Sequence, residues 1–521
     1  MLQTRLAADE ANVVSGIRLP HDLLIVAATA LIAVVGYYFA EKIPIANGLG
    51  WDGQVYGELA KGALFQTQEN PLDLYTIRRV LPSAIVYCGL KLCGLSMSDE
   101  NVIHGFGLLN ILCITSVGAC WVRIATLMAI GSRGKWLGFC ALILNFAVVK
   151  HTSYYPVLTD IPAFAIGCRM LYLYMLRRFW SLLVLTVIGA FVWPTMMFQG
   201  TLLLLFPRES LSAEEAIRPT ASQRHPFGWN FWVAGLSTYY VLLAIHWSVG
   251  HANLPICGYI DPAKQLLPLS MGIVAVYIFF VLYRMIDVVR CAESIRTLLT
   301  RDWPRLIAVC LMIVAVKFAY SYLAPLPGHN DGRLYLLRLF IKAVYKPGIF
   351  LVGHAVYFGP IVPLIVLLWT SVSREIQKAG VGISLAVTLA LLLSLDGESR
   401  HLDHAFPLIV PFAIRVIERL NWDLRRTLSF VALSAFASKF WWTINQPDFE
   451  NSLSLLEFPL QGYAMNYGVF MNTQTYLIQG LFALAITGVL ATFVSGSGLI
   501  QGRWSRQKIE PARDQTKPIA A

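Results

Sequence analysis

The chain is expected to fold as an all-α, polytopic transmembrane bundle of about twelve to fourteen helices, with juxtamembrane helices in a long first outer loop. Composition predicts it first: 57% of the 521 residues are hydrophobic, 14% are charged, and mean hydropathy is +0.61. Soluble domains are about 45–50% apolar and about 25% charged. The second observation is that the apolar residues form long runs, and a helix needs about 20 such residues to cross the hydrocarbon core. The third is that these runs are continuous rather than alternating, which selects helices over a closed barrel. Because the bias extends along the whole length, one large bundle replaces the several soluble domains that length alone would suggest.

Taken in order, the candidate crossings are 23–41, 102–130, 136–150, 161–176, 181–206, 229–249, 267–285, 304–324, 348–372, 381–395, 406–420, 427–445 and 475–495. The run 181–206 has Trp193-Pro194 at its centre and is expected to be a tight helical hairpin with two short crossings. The run 80–97 contains Pro82 and Lys91 and needs a decision. If it lies on the outer surface, 25 of the 41 Lys and Arg residues fall in cytoplasmic parts and 11 in outer parts. If it crosses, every later loop changes side and most basic loops face outward, against the positive-inside rule. It is therefore expected to be an interfacial helix within an outer loop 42–101.

The resulting organisation is a cytoplasmic N-terminus 1–22, an N-terminal transmembrane module 23–210, a C-terminal module 211–498 and a cytoplasmic basic tail 499–521. Both termini are expected in the cytoplasm. The short loops suggest a plasma membrane of the bacterial inner-membrane type. The first apolar run lacks an A-x-A cleavage site and is expected to be an uncleaved signal anchor. The net charge of +11 needs no nucleic acid partner, because topology and anionic lipid account for cytoplasmic Lys and Arg. The nine cysteines are scattered without a CxxC or a Cys/His cluster, so no metal or redox framework is legible.

Polar residues gather in four outer places. Gly50-Trp51-Asp52-Gly53-Gln54-Val55-Tyr56, followed by Arg78-Arg79, sets a carboxylate between glycines. That suits a turn presenting an acid closely to a ligand, and it equally suits a helix cap. His151 to Asp160 ends where a helix begins, so Asp160 is either a cap or a functional acid. Pro325 to Gly348 carries Arg333, Arg338, Lys342 and Lys346 at partly helical spacing, suited to a phosphate or to lipid headgroups. Asp396-Gly397-Glu398-Ser399-Arg400-His401-Leu402-Asp403-His404 interrupts two apolar runs. Charge is costly near membrane depth, so such a cluster needs pairing or a wet cavity. Lys317 and Lys439 lie in apolar runs and read either as buried cations or as helix ends.

These motifs, in this order, resemble the GT-C superfamily of membrane glycosyltransferases. Trp51-Asp52-Gly53 follows the first helix, 80–97 takes the place of a juxtamembrane helix, and Leu158-Thr159-Asp160 follows the third crossing. Gly50-Trp51-Asp52-Gly53-Gln54 with Tyr56 is similar to bacterial GT-C-like proteins, and Glu398-Ser399-Arg400 before Pro407 is similar to a late element of several members. The resemblance implies transfer of a sugar from a polyprenyl-phosphate donor to a glycan, lipid or protein acceptor at the outer face of the bilayer. It implies Asp52 as base or acceptor-positioning carboxylate, with Asp160 as its helper. Gln54, Tyr56 and Glu398 would contact substrate; Arg78 or Arg79, Arg333 and Arg400 would hold phosphate, or His401 in place of an arginine. The first motif carries one acid where relatives carry two, so a divalent metal is left open as a cofactor. Trp193 stands where many relatives have a basic residue. The competing expectations are a transporter or flippase of lipid-linked glycan, and a polysaccharide polymerase or ligase.

Overall fold

A computed structural model describes residues 20–63, 73–208, 228–250, 264–324, 332–444, 471 and 473–495. The basic tail 499–521 and nearly all of 1–22 lie outside the described residues. Those that are described form helices and turns, with no strand among them.

The first helix, α1 (Pro20–Phe39), buries Asp22, Ile25, Thr29, Ala33 and Tyr37, spaced three to four residues apart along one stripe. That stripe faces α5 (Asp99–Leu127), the longest helix. Between them the chain forms α2 (Trp51–Ala60), the short α3 (Leu74–Ile77) and α4 (Val80–Leu92). With 13 residues, α4 is about 20 Å long, short of the hydrocarbon thickness of about 30 Å. It packs on α2 and α5, as a surface element of the first outer loop would. The start of α1 is tied to α6 (Ser132–Ile143) by a buried ion pair, Lys135 Nζ to Asp22 Oδ1 at 2.8 Å. Asp22 and Lys135 therefore share one end of the bundle.

A π-turn (Ala147–His151) bent by 51° follows α6, and then α8 (Asp160–Met175) after a single α-turn, α7 (Thr152–Tyr154). The hairpin forms: α9 (Phe179–Ala190) and α10 (Met196–Leu205) pack together across a turn containing Trp193 and Pro194. The second half comprises α11 (Trp229–Gly250), α12 (Leu267–Met285), α13 (Val288–Thr300), α14 (Trp303–Leu323), α15 (Gly332–Val344), α16 (Ile349–Phe358), α17 (Ile361–Leu367), α18 (Trp369–Ala379), α19 (Val381–Leu393), α20 (Phe406–Arg419), α21 (Leu424–Ala437) and α22 (Thr473–Ser495).

Among the described residues six helices are long and apolar enough to cross a membrane, or up to eight if two bent pairs each count as one span. With exposed apolar side chains along α1, α11, α14 and α22, they define a multi-pass helical membrane protein. Of the expected twelve to fourteen crossings, several are not single unbroken helices among the described residues. The segment 348–372 is three short helices rather than one crossing. Gly359 adopts φ +78° and Pro360 follows it, so the chain turns at a left-handed residue and loses a backbone donor. The segment 427–445 ends early, at Ala437, and a turn follows with Lys439 at φ +54°. Lys439 is thus both at a helix end and buried, with its Nζ 5.3 Å from the Phe146 ring centre, whereas Lys317 is exposed within α14.

Candidate functional site

The charged site is built where the start of α2, the start of α8, the hairpin turn and the segment between α19 and α20 meet. Gly50 precedes α2 at φ +76°, and a Cβ there would lie 2.3 Å from the Tyr155 ring. The Gly53 N–H donates to Tyr155 Oη at 3.0 Å. Tyr155, at the end of α7, thus seats the first turn of α2 and with it Asp52. The Asp52 side chain keeps 36% exposure, and its Oδ2 accepts a bond from Arg400 Nη2 at 2.6 Å.

Arg400 belongs to a stretch with two 3₁₀ turns, Ser394–Asp396 and Ser399–Leu402, joined through Gly397 at φ +72°. The stretch is braced by His354 of α16, whose Nε2–H donates to the Ser394 carbonyl at 2.8 Å while Nδ1 lies 3.0 Å from Ser399 Oγ. On its open side the charges interlock. Arg400 Nε donates to Glu398 Oε1 at 2.9 Å, His401 Nδ1 meets Asp396 Oδ2 at 2.6 Å, and His401 Nε2 lies 3.4 Å from Glu398 Oε1. Lys342 of α15 reaches in, 2.6 Å from Asp396 Oδ1 and 3.3 Å from Glu398 Oε2. Burial opposes ionisation of both acids, but Lys342 and His401 outweigh it at Asp396, and His401, Arg400 and Lys342 outweigh it at Glu398. Both carboxyls are held below their ordinary range.

Asp160, at the loop-to-helix junction, behaves differently. It is 4% exposed, and neither of its oxygens has a hydrogen-bond partner among the described residues. Burial raises its pKa; Arg400, His401 and Arg79 act against that, and Asp52 adds to it. Asp403 is pushed well above the carboxylate range by burial and then by the charge of Asp160, although Tyr357 Oη–H donates to its Oδ2 at 3.2 Å. The charge of one buried acid thus disfavours ionisation of the other. The segment can approach α8 this closely because Gly167 has no side chain: a Cβ there would fall 1.8 Å from the His404 carbonyl oxygen.

A cation without hydrogen bonds completes the site. Arg79 is 7% exposed, and its Nε and Nη1 are buried without partners. Its guanidinium lies 4.0 Å from the Tyr75 ring centre and 4.5 Å from that of Trp193. Trp193 in turn lies 5.5 Å from the His401 ring, while His404 bonds Thr195 Oγ1 at 2.8 Å. Tyr56 is buried within reach of the charges of Arg79, Asp52 and Arg400, and burial raises its hydroxyl pKa well above the usual value.

Asp52, Tyr56, Arg79, Asp160, Glu398, Arg400 and His401 are therefore brought together. Arg78 is not: it turns toward α14 and lies 5.5 Å from the Tyr320 ring centre. Gln54 is exposed on α2, and the Arg333 side chain lies outside the described residues. Lys342 is the cation of its segment that enters the site. Asp396, Asp403 and His404 join from a string whose individual members sequence could not rank. Tyr357 and His354 left one trace, as isolated polar residues within an apolar run.

Asp396, Glu398 and His401 offer ligand atoms that all lie within 4.8 Å of one another. Two carboxylates and an imidazole suit a divalent cation by donor type. Lys342 already occupies the cation's place between the two acids, however, and a metal would have to displace it.

No protein-family model, no curated protein and no solved structure matches the chain. Fold and site together define the class, a multi-pass helical membrane protein with a buried, charge-dense cluster joining its N- and C-terminal halves.

Proposed function

We propose that the protein is an integral membrane glycosyltransferase that moves a sugar from a polyprenyl-phosphate donor to an acceptor at the outer membrane face. The observation that carries this reading is the company Asp52 keeps. A partly exposed carboxylate stands beside Arg400, with the unpartnered oxygens of Asp160 and the unpartnered guanidinium nitrogens of Arg79 in the same cluster. Such transfer needs a base for the acceptor hydroxyl and cations for the leaving phosphate. In the proposed reaction the acceptor O–H gives its proton to Asp52 and the oxygen bonds to the anomeric carbon. The bond from that carbon to the phosphate oxygen breaks, and its electron pair leaves with the polyprenyl phosphate. Arg79 would bind the phosphate through its uncommitted N–H groups, a geometry guanidinium favours. Asp160 would accept hydrogen bonds from sugar or acceptor hydroxyls. Arg400 would hold Asp52 in place.

One feature favours a second reading, a carrier of lipid-linked glycan. Bends of 51° after α6 and 89° between α15 and α16 flank the charged cluster, and carriers build their sites from broken helices. The deciding experiment reconstitutes the full chain in liposomes with a panel of polyprenyl-phosphate hexoses. Release of polyprenyl phosphate with sugar joined to an acceptor supports the transferase. Translocation of intact donor, with no bond cleaved, sinks it in favour of the carrier.

A further inference from the structure

At the far end of the same helices lies a basic cavity that the charged site does not use. From Asp160 to Met175, α8 rises about 24 Å, and the cavity opens beyond that second end. Its volume is about 590 Å³, and its wall includes Arg177, Arg178, Arg208, Arg301 and Arg305, with Asp302 as its single acid. These arginines come from three separate basic loops, each of which the positive-inside rule assigns to the cytoplasmic face.

Among the described residues these five cations meet a single acid, Asp302. Arg305 makes one loose ion pair, Nη1 to Asp302 Oδ2 at 3.7 Å, and lies 5.2 Å from the Phe179 ring centre, but its buried Nη1 has no hydrogen-bond partner among the described residues. Arg177, Arg178 and Arg301 form no ion pair with any acid among the described residues. Arg208 spends one N–H on the Met175 carbonyl at 3.3 Å. Burial and the charges of Arg177 and Arg415 lower its pKa, as expected of a guanidinium short of a counter-anion.

The rest of the wall is mostly apolar, with Phe179, Leu182, Leu203 and Leu204 beside the polar Tyr174 and Thr297. From it α9 continues with Trp180, Val184 and Ile188 exposed at one-turn spacing, a lipid-facing stripe with a Trp at the headgroup level. A cluster of guanidiniums opening onto an acyl-compatible face fits an amphiphile better than a free anion. We propose that this cavity binds the phosphate headgroup of an anionic phospholipid, with the acyl chains lying along α9.

The test uses the purified full chain in nanodiscs and native mass spectrometry, with phosphatidylglycerol and phosphatidylcholine as probes and inorganic phosphate as competitor. The expected result is preferential retention of phosphatidylglycerol, weakened about tenfold by Arg208→Gln with Arg305→Gln. The exposed pair Arg177→Gln and Arg178→Gln is expected to act in the same direction and keeps the test decisive if the first pair does not fold. Equal retention of the two lipids overturns the proposal, as does undiminished binding in the folded variants. Displacement of phosphatidylglycerol by millimolar inorganic phosphate would overturn the assignment to a lipid.

Discussion

Replacing Asp52 by Asn separates a structural role for this carboxylate from a chemical one. Its ion pair with Arg400 is short, 2.6 Å, but the Asp52 side chain is 36% exposed, so solvent screens the pair and its loss costs about 0–1 kcal/mol of stability. Arg400 remains bound to Glu398 after the change. If Asp52 takes the acceptor proton, the same substitution lowers transfer by about a hundred- to ten-thousandfold. Glu398→Gln provides the contrast. Its side chain is 9% exposed and meets Lys342, Arg400 and His401, and removing one partner from a buried ion pair costs about 3–5 kcal/mol. The two variants should therefore differ in kind: Asp52→Asn melts like the wild type and does not turn over, while Glu398→Gln melts early. Donor cleavage in proteoliposomes reads the first property. A thiol-reactive dye that reports exposure of the buried Cys120, Cys140 and Cys168 reads the second. Full turnover by Asp52→Asn removes this residue from the chemistry, and an early melt would make it a structural acid.

Other expectations follow from the same contacts. Arg79→Gln should raise the donor KM and lower turnover, with stability reduced only by its lost contacts with the Tyr75 and Trp193 rings, about 0.5–2 kcal/mol, because no hydrogen bond is lost at Nε or Nη1; unchanged kinetics would exclude it from phosphate binding. Gly50→Ala puts a methyl against the Tyr155 ring at a left-handed φ, costing about 1–2 kcal/mol in backbone conformation alone. Melting and transfer should fall together, and an unperturbed melt would contradict the seating of α2 on Tyr155. The Glu398 pKa is depressed in the folded state, so its contribution is present above the ordinary Glu range and is lost as pH falls below it. Melting profiles of wild type and Glu398→Gln should therefore converge on acidification, and parallel profiles would refute the ion-pair network. Asp403 has a raised pKa, so its contribution falls as pH rises above the ordinary carboxylate range. Asp403→Asn should be more stable than wild type at neutral pH, and a loss of stability there would count against a raised Asp403 pKa.

The helical membrane class was legible because it depends on sums over many residues. The hairpin at 181–206 and the short helix after Arg79 were legible too, since a Trp-Pro break and a run too short to span are local properties. The breaks at Gly359 and at Lys439 were not, because an apolar run around a single Gly-Pro step reads as continuous hydropathy. Sequence could nominate Asp52, Asp160, Glu398, Arg400 and His401 from turn chemistry and from the cost of charge near lipid. It could not choose between Arg78 and Arg79, adjacent residues whose side chains leave α4's start toward α14 and toward Trp193 respectively.

By itself, then, the sequence determined the solvent this chain lives in, the segments that meet lipid, and the turns that carry acids. Tertiary structure alone decided which charges neutralise one another. Asp52 meets Arg400 across 348 positions of chain, Lys342 enters between Asp396 and Glu398, and Asp160 is buried without a partner. The reason is that burial and charge pairing are fixed by distances between segments remote in sequence, whereas hydropathy and turn preference belong to each segment alone.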